Sequence, residues 1–292
     1  MKIAIIQPGC FGDNINSTLM LKPIREKYHN ATIDVYTTTL YSAAFRNNEL
    51  INHIYEYPAT LKNQALNHVH TIPDKIANKG YDHILNPHPM INPEKWSSTT
   101  RPELGTNLIC AWIRCLEDIG VRVPAKLNTI LRLDEEEKQR AANFFARTSK
   151  PHGRHILMEI GHESGQSFWN NDWTVRVGAH LLDGNTTLYL SRKHDGPDVA
   201  QLRGKSAGNV HFVGDLSVRE CAALYDHCDY FFCVSSGLMN ACNTSDRRTD
   251  TQWFEVVNST VVNSSPIRTD NKTFWYDNNI DEFLGMLKSR GV

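Results

Sequence analysis

The sequence has no surplus of either charge: 31 basic residues against 32 acidic ones give a formal net charge of -1. A dedicated nucleic-acid binder carries a basic excess that neutralises phosphates, so nucleic acid is not an expected partner. No apolar run approaches the ~18 residues that cross a bilayer. The first residues lack a signal-peptide pattern. The expected compartment is therefore the cytoplasm, with membrane contact at most peripheral. The cysteines number seven, an odd count, and no Cys-x-x-Cys pair occurs. Both facts argue against a disulfide framework and against structural zinc. Cys233 sits in an apolar run and reads as a buried thiol. No His, Cys and Asp grouping has metal-ligand spacing, so neither a metal nor any other cofactor is expected. The dinucleotide fingerprint G-x-G-x-x-G is missing, as is the G-x-S-x-G nucleophile elbow. There is no short internal repeat.

What is present is an ordinary globular composition, 40% hydrophobic and 22% charged over 292 residues, enough for about two domains. Short apolar runs alternate with helical patterns twice. The first series has strands at Ile3–Ile6, Thr32–Tyr36, Ile54–Tyr57 and Tyr81–Leu85, with helices at Ile15–Tyr28, Leu40–Asn47 and Lys62–Ala77. Helices at Leu108–Ile119 and Glu135–Arg147 follow, the latter capped by Asp134. The stretch Thr148–Arg154 reads as a linker. The second series then has strands at Ile156–Ile160, Thr187–Leu190, Val210–Val213 and Tyr230–Val234. Its helices are Thr174–Leu182, Asp198–Lys205, Val218–His227 and Ile280–Arg290. Two further short strands fall at Phe254–Val257 and Val261–Val262. Such alternation predicts an α/β fold of two Rossmann-like domains, 1–150 and 151–292, each with a parallel sheet covered on both faces. Ligands of such sheets bind beyond the strands' C-terminal ends, in a cleft between two facing domains.

Several loops at those ends carry polar residues. Gln7-Pro8-Gly9-Cys10-Phe11-Gly12-Asp13-Asn14 joins the first strand to the first helix. Gly9 and Gly12 permit close approach of a ligand. Asp13 has two readings: an N-cap of the helix, or a carboxylate that accepts a proton from an attacking hydroxyl. After Tyr230–Val234 come Ser235, Ser236 and Gly237, then Leu238 and Met239 in a helix whose free N–H groups suit a phosphate. The loop holding Glu159, Gly161 and His162 offers further donors, as do Ser191 and Arg192 with Lys193 and His194. Charge runs of that kind are equally common as solvated loops. Ser217 and Glu220 form a capping box, and Leu216 just before it can pack on a nucleobase. His88 lies in the long polar loop Asn86–Arg101, which is expected to face an acceptor.

Taken in order and spacing, these motifs resemble glycosyltransferase family 9, the ADP-heptose lipopolysaccharide heptosyltransferases. Pro8-Gly9-Cys10-Phe11-Gly12-Asp13 is similar to that family's "RPGALGD" opening, and Ile51-Asn52-His53-Ile54-Tyr55 to its "VDEVI" strand. Asp215-Leu216-Ser217 with Glu220 and Ala222-Ala223-Leu224 resembles "DLTGKTSLLELAALL". Cys228-Asp229-Tyr230 through Met239 resembles "ADLVVGNDSGPMH". The resemblance implies the GT-B fold and a cytoplasmic, inverting, metal-independent transferase. Such an enzyme moves a heptose or hexose from a nucleotide-diphosphate sugar to a glycan or lipid-linked saccharide. It also implies that Asp13 is the base, that Ser236 and Gly237 cradle phosphate, and that Leu216 touches the nucleotide base. The chain departs from the pattern at Ser235, where the family has an acid, and at Asn240, where it has a histidine. The family's loop lysine falls on Asn171 or Ser167, depending on which tryptophan is aligned. These departures motivate one alternative, a nucleotide-sugar-binding protein with weakened catalysis. Two others are an epimerase of nucleotide amino sugars, which would use carboxylates and histidines in the same cleft, and a transferase that differs only in acting on a modified nucleobase.

Overall fold

A computed structural model describes residues 1–88, 107–124, 127–159, 167–191, 202, 209–257 and 271–292. They form two compact units. Unit 1 holds Met1–Arg132 and takes back the short segment Asn243–Asp246. Unit 2 holds Leu133–Cys242 and the described residues after Asp246.

Unit 1 runs β1 (Lys2–Ile6), α1 (Phe11–Ser17), α2 (Leu21–Lys27), β2 (Thr32–Thr38), β3 (His53–Tyr57), α3 (Lys62–Ile76), β4 (His83–Leu85) and α4 (Asn107–Asp118). Single 3₁₀ turns at Thr18–Met20 and Ser42–Phe45 stand where one continuous helix and a second full helix were expected. The strands are all parallel, in the order β3-β2-β1-β4. Alternate side chains of β1 point to opposite faces. Ile3 and Ile5 join a cluster with Leu19, Ile24, Trp112 and Leu116, while Ala4 and Ile6 meet Ile72 and Ile76 of α3. Both faces are therefore covered, as a buried parallel sheet requires.

Unit 2 runs α5 (Glu135–Thr148), β5 (Arg154–Met158), α6 (Asn171–Leu181), β6 (Thr186–Leu190), β7 (Val210–Phe212), α7 (Val218–Tyr225), β8 (Tyr230–Val234), α8 (Gly237–Cys242), β9 (Gln252–Val256), β10 (Lys272–Trp275) and α9 (Ile280–Ser289). Its sheet is parallel in the order β10-β9-β8-β5-β6-β7. Ile156, Met158, Phe232, Val234, Phe254 and Val256 pack on Trp173, Val177, Phe283 and Leu287. Phe231 and Trp253, on the other face, pack edge-to-face with Tyr225 of α7. The expected helix 198–205 and strand 261–262 lie outside the described residues, apart from Leu202.

The boundary between units falls at Arg132–Leu133 rather than at 150–151. The cause is α5, which belongs to the second unit. Glu137 accepts both Nε and Nη2 of the buried Arg219 on α7, and Arg140 pairs with Glu220 at 3.0 Å. The polar stretch at 148–154 is therefore a turn inside unit 2, with Thr148 still in α5 and Arg154 already in β5.

Candidate functional site

In unit 1 the strand order reverses at β1: β2 and β3 lie to one side of it and β4 to the other. A crevice opens at such a switch point, outside the C-terminal ends of the strands. The loop after β1 supplies Gln7 to Phe11 there, and the segment after β4 supplies Asn86 to His88. The glycine-bearing loop is fixed from below by Asn14. Its side-chain amide donates to the carbonyls of Gly9 and Cys10, both at 2.9 Å, and its oxygen accepts the Thr37 hydroxyl at 2.8 Å.

The first helix starts earlier than expected, at Phe11, and Cys10 is its N-cap with no side-chain cap bond. Asp13 is thus the third residue of the helix and not its cap. From that position a carboxylate can reach back to the N-cap N–H, and the Cys10 N–H does hydrogen-bond Asp13. Part of Asp13's surface stays open. Protein nevertheless crowds the carboxyl enough that burial raises its pKa from 3.8 to about 6, against the lowering pull of the Cys10 N–H and the Lys62 ammonium. A carboxyl poised near 6 is ionised at neutral pH and still basic enough to take a proton.

Gly9 is closely surrounded by side chains. A Cβ there would lie 3.2 Å from Gln7 Nε2, 3.3 Å from Asp13 Oδ2 and 3.5 Å from His88 Cδ2. Three polar side chains therefore converge on one backbone position. His88 is buried, and burial, with His70 adding a smaller push, lowers its pKa to about 4. It is a neutral imidazole at physiological pH. Lys62, the first residue of α3, and Tyr41 both hydrogen-bond the Cys10 thiol, whose pKa is raised by burial and by Asp13.

Unit 2 has its own switch point, between β5 and β8. Glu159 ends the β5 side and Ser235–Gly237 the β8 side. Ser236 donates its hydroxyl to Glu159 and accepts the Met239 N–H at 3.0 Å. The Ser236 hydroxyl, expected as a donor to phosphate, is thus turned onto a carboxylate, and the turn offers a ligand its backbone instead. Ser235 and Leu238 are buried, and Met239 is fully so, which makes Met239 a core side chain. Asn240 folds its amide back onto the Ser236 carbonyl at 2.8 Å. Ser191 follows β6, its N–H bonded to the Met158 carbonyl at 3.0 Å. Leu216 is half-buried just before α7, whose capping box at Ser217 and Glu220 is present. Gly161, His162, Arg192, Lys193 and His194 lie outside the described residues.

The structure thus brings Gly9, Gly12, Asp13 and His88 together in unit 1, and Ser235, Ser236 and Gly237 with Glu159 in unit 2. Lys62, Asn14 and the side chain of Gln7 went unnoticed in the sequence. No motif marks Lys62; only its place after β3, at the same C-terminal end of the parallel sheet, brings it to the loop. Among the described residues no cluster of three His, Cys, Asp or Glu is placed to hold a metal ion, and no helix is long and apolar enough to cross a membrane.

No protein-family model matches the sequence, and no curated protein matches it. Solved structures do share its fold. A glycosyl transferase family 9 structure from Veillonella parvula DSM 2008 superposes with a TM-score of 0.70 at 15% identity, over 99% of this chain and 89% of that one. The E. coli ADP-heptose lipopolysaccharide heptosyltransferase II gives 0.64 at 15% identity, over 99% and 98%. The E. coli heptosyltransferase WaaC with ADP gives 0.65 at 10% identity, over 100% and 98%. The α/β architecture of two parallel sheets expected from the sequence is the fold of these proteins.

Proposed function

We propose that the chain is a glycosyltransferase that moves a sugar from a nucleotide-diphosphate donor to an acceptor hydroxyl with inversion at the anomeric carbon. One observation carries the reading above the others. A carboxyl with a pKa near 6 stands at the switch point of unit 1, in a fold shared with heptosyltransferases. Asp13 takes the proton of the acceptor hydroxyl as that oxygen attacks C1 of the donor sugar. The bond from C1 to the diphosphate oxygen breaks, and its electron pair leaves with the nucleotide. Unit 2 binds the donor, with the backbone around Ser236 and Gly237 at the phosphates and Leu216 at the base. Gly161, His162, Ser191 and Arg192 belong to the same proposal. Unit 1 binds a glycan or lipid-linked saccharide, with Gly9, Gly12 and His88 beside the base. The reaction takes place in the cytoplasm, by analogy with the family resemblance, and needs no metal.

The test is a panel of ADP-, UDP- and GDP-sugars, scored for binding and for slow hydrolysis in the parent and in Asp13→Asn. One donor that binds both proteins, and is hydrolysed only by the parent, supports the transferase. A parent that binds no donor sinks it. A second reading, a nucleotide-sugar binder with little catalysis, draws on the engaged Ser236 hydroxyl and on the absence of the family's loop lysine. Tight donor binding with neither hydrolysis nor transfer would favour it. Donor epimerised without acceptor would instead point to the epimerase alternative.

A further inference from the structure

Gln7 sits at the C-terminal end of β1 and is only 1% exposed. Its backbone N–H is used, bonding the Tyr36 carbonyl at 2.8 Å. Its side-chain oxygen Oε1 is buried and has no hydrogen-bond partner among the described residues. A buried amide left unpaired is costly, and native structures rarely keep one without a use. The side-chain donors of the same loops are used elsewhere. Asn14 donates to Gly9 and Cys10, the Thr37 hydroxyl donates to Asn14, and the Asn86 amide donates to the Val69 carbonyl at 3.4 Å.

The amide is also placed beside the chemistry. Gln7 Nε2 and Asp13 Oδ2 lie 3.2 and 3.3 Å from the same point above Gly9. They are therefore no farther apart than those two distances laid end to end, a span that neighbouring hydroxyls on one sugar ring can bridge. An amide is neutral and presents both an acceptor and donors, which matches a hydroxyl rather than a phosphate or carboxylate.

Resting on the transferase reading above, we propose that Gln7 is a positioning residue for the acceptor: its amide holds the hydroxyl adjacent to the one that Asp13 deprotonates. The acceptor is then a neutral sugar with two vicinal free hydroxyls at the site of transfer. Holding the second hydroxyl fixes the rotation of the ring and aims the first one at Asp13, the kind of orientation that lowers a bimolecular barrier.

The probes are the methyl glycosides of mannose, glucose and galactose, each with its monodeoxy analogues, titrated by NMR into the full chain and into Gln7→Met. Methionine keeps the length and removes the amide. We expect one glycoside to bind the parent, and either Gln7→Met or loss of one ring hydroxyl to weaken it about tenfold. Removing both should cost no more than removing one, because the same contact is deleted twice. Thermal stability should hold or rise in Gln7→Met, since an unpaired buried amide has gone, whereas a purely structural glutamine would lower it. Equal glycoside binding by Gln7→Met and the parent overturns the proposal. So does a deoxy penalty that persists in full in the variant, or a parent that binds a nucleotide sugar but no glycoside. The nucleotide-sugar panel is run beside it: failure of the parent to bind any donor sinks the transferase reading, whereas failure of the glycoside arm alone sinks only the role of Gln7.

Discussion

Asp13 in unit 1 and Glu255 in unit 2 are both carboxyls raised by burial, to about 6 and about 7. Asp13 stands in the first turn of α1, just beyond a strand end and partly open, with the Cys10 N–H and the Lys62 ammonium to steady its charged form. Glu255 lies within β9, opposite Cys233 on one side and Phe274 on the other, with no exposed surface. Neither of its oxygens has a hydrogen-bond partner among the described residues, and only the charge of Lys272 pulls its pKa back down. The same desolvation acts on both groups, but a carboxyl so raised can serve as a base only where a substrate can arrive. A shifted carboxyl is a functional candidate when geometry gives it access, and otherwise a stability liability.

The comparison breaks first at Asp13. Asp13→Asn is expected to lower transfer by roughly 10²–10⁴-fold, the range supplied by a positioned general base, while donor binding is unchanged. Turnover within twofold of the parent, in a single-turnover assay with bound donor, would mean that the accessible carboxyl is ornamental. The pH profile sharpens the same point. The base must be ionised, so kcat should rise about tenfold per pH unit below the Asp13 pKa of about 6 and level off above it. A profile flat through that region would assign proton transfer to another group.

Glu255 gives the opposite signature. Its folded pKa is raised from 4.5 to about 7, so the folded state holds a proton that the unfolded chain releases between those values. The stability tied to that proton is complete below 4.5 and is lost as pH rises through about 7. Glu255→Gln removes the slope. Urea unfolding should find the variant more stable than the parent by about 3 kcal/mol near pH 8 and nearly equal to it near pH 4. Activity should be little changed. Curves that stay parallel across pH would show that Glu255 ionises freely in the fold.

The two carboxyls were not equally legible in the sequence. Asp13 stood with Gly9 and Gly12 at a strand–helix junction, and its place beyond a strand's C-terminal end followed from topology alone. Its role in the helix did not: the short apolar signal before Ile15 hid the fact that Cys10 caps and Asp13 is third. Glu255 was read as part of the strand Phe254–Val257, and nothing in an apolar run says that its one acid stays unpaired. The edge strand β10 was missed because Lys272–Trp275 is only four residues long and half-buried throughout, too short for an alternation pattern. Lys62 and the Gln7 amide matter through neighbours distant in sequence, which periodicity cannot reveal. The capping boxes, by contrast, are local rules, and both the Asp134 cap and the Ser217–Glu220 box were readable as written.

Those caps provide the smallest and most discriminating test, because unit 2 completes what unit 1 leaves open. At α1 the third-position acid is Asp13, the proposed base, and the cap residue Cys10 makes no side-chain cap bond to the helix. At α5 and α7 the box is closed, and each third-position glutamate also grips the other helix. Glu137 bonds the Asp134 N–H at 3.0 Å and holds Arg219, while Glu220 bonds the Ser217 N–H at 2.6 Å and holds Arg140. Asp134→Ala and Ser217→Ala should each lower stability by about 1 kcal/mol. Because each cap also orients a glutamate on which the opposite helix depends, the double variant should miss the sum of the singles by roughly 0.5 kcal/mol or more. Additive losses would mean that apolar packing alone holds α5 on unit 2, and that the polar clasp does not set the boundary at Arg132–Leu133.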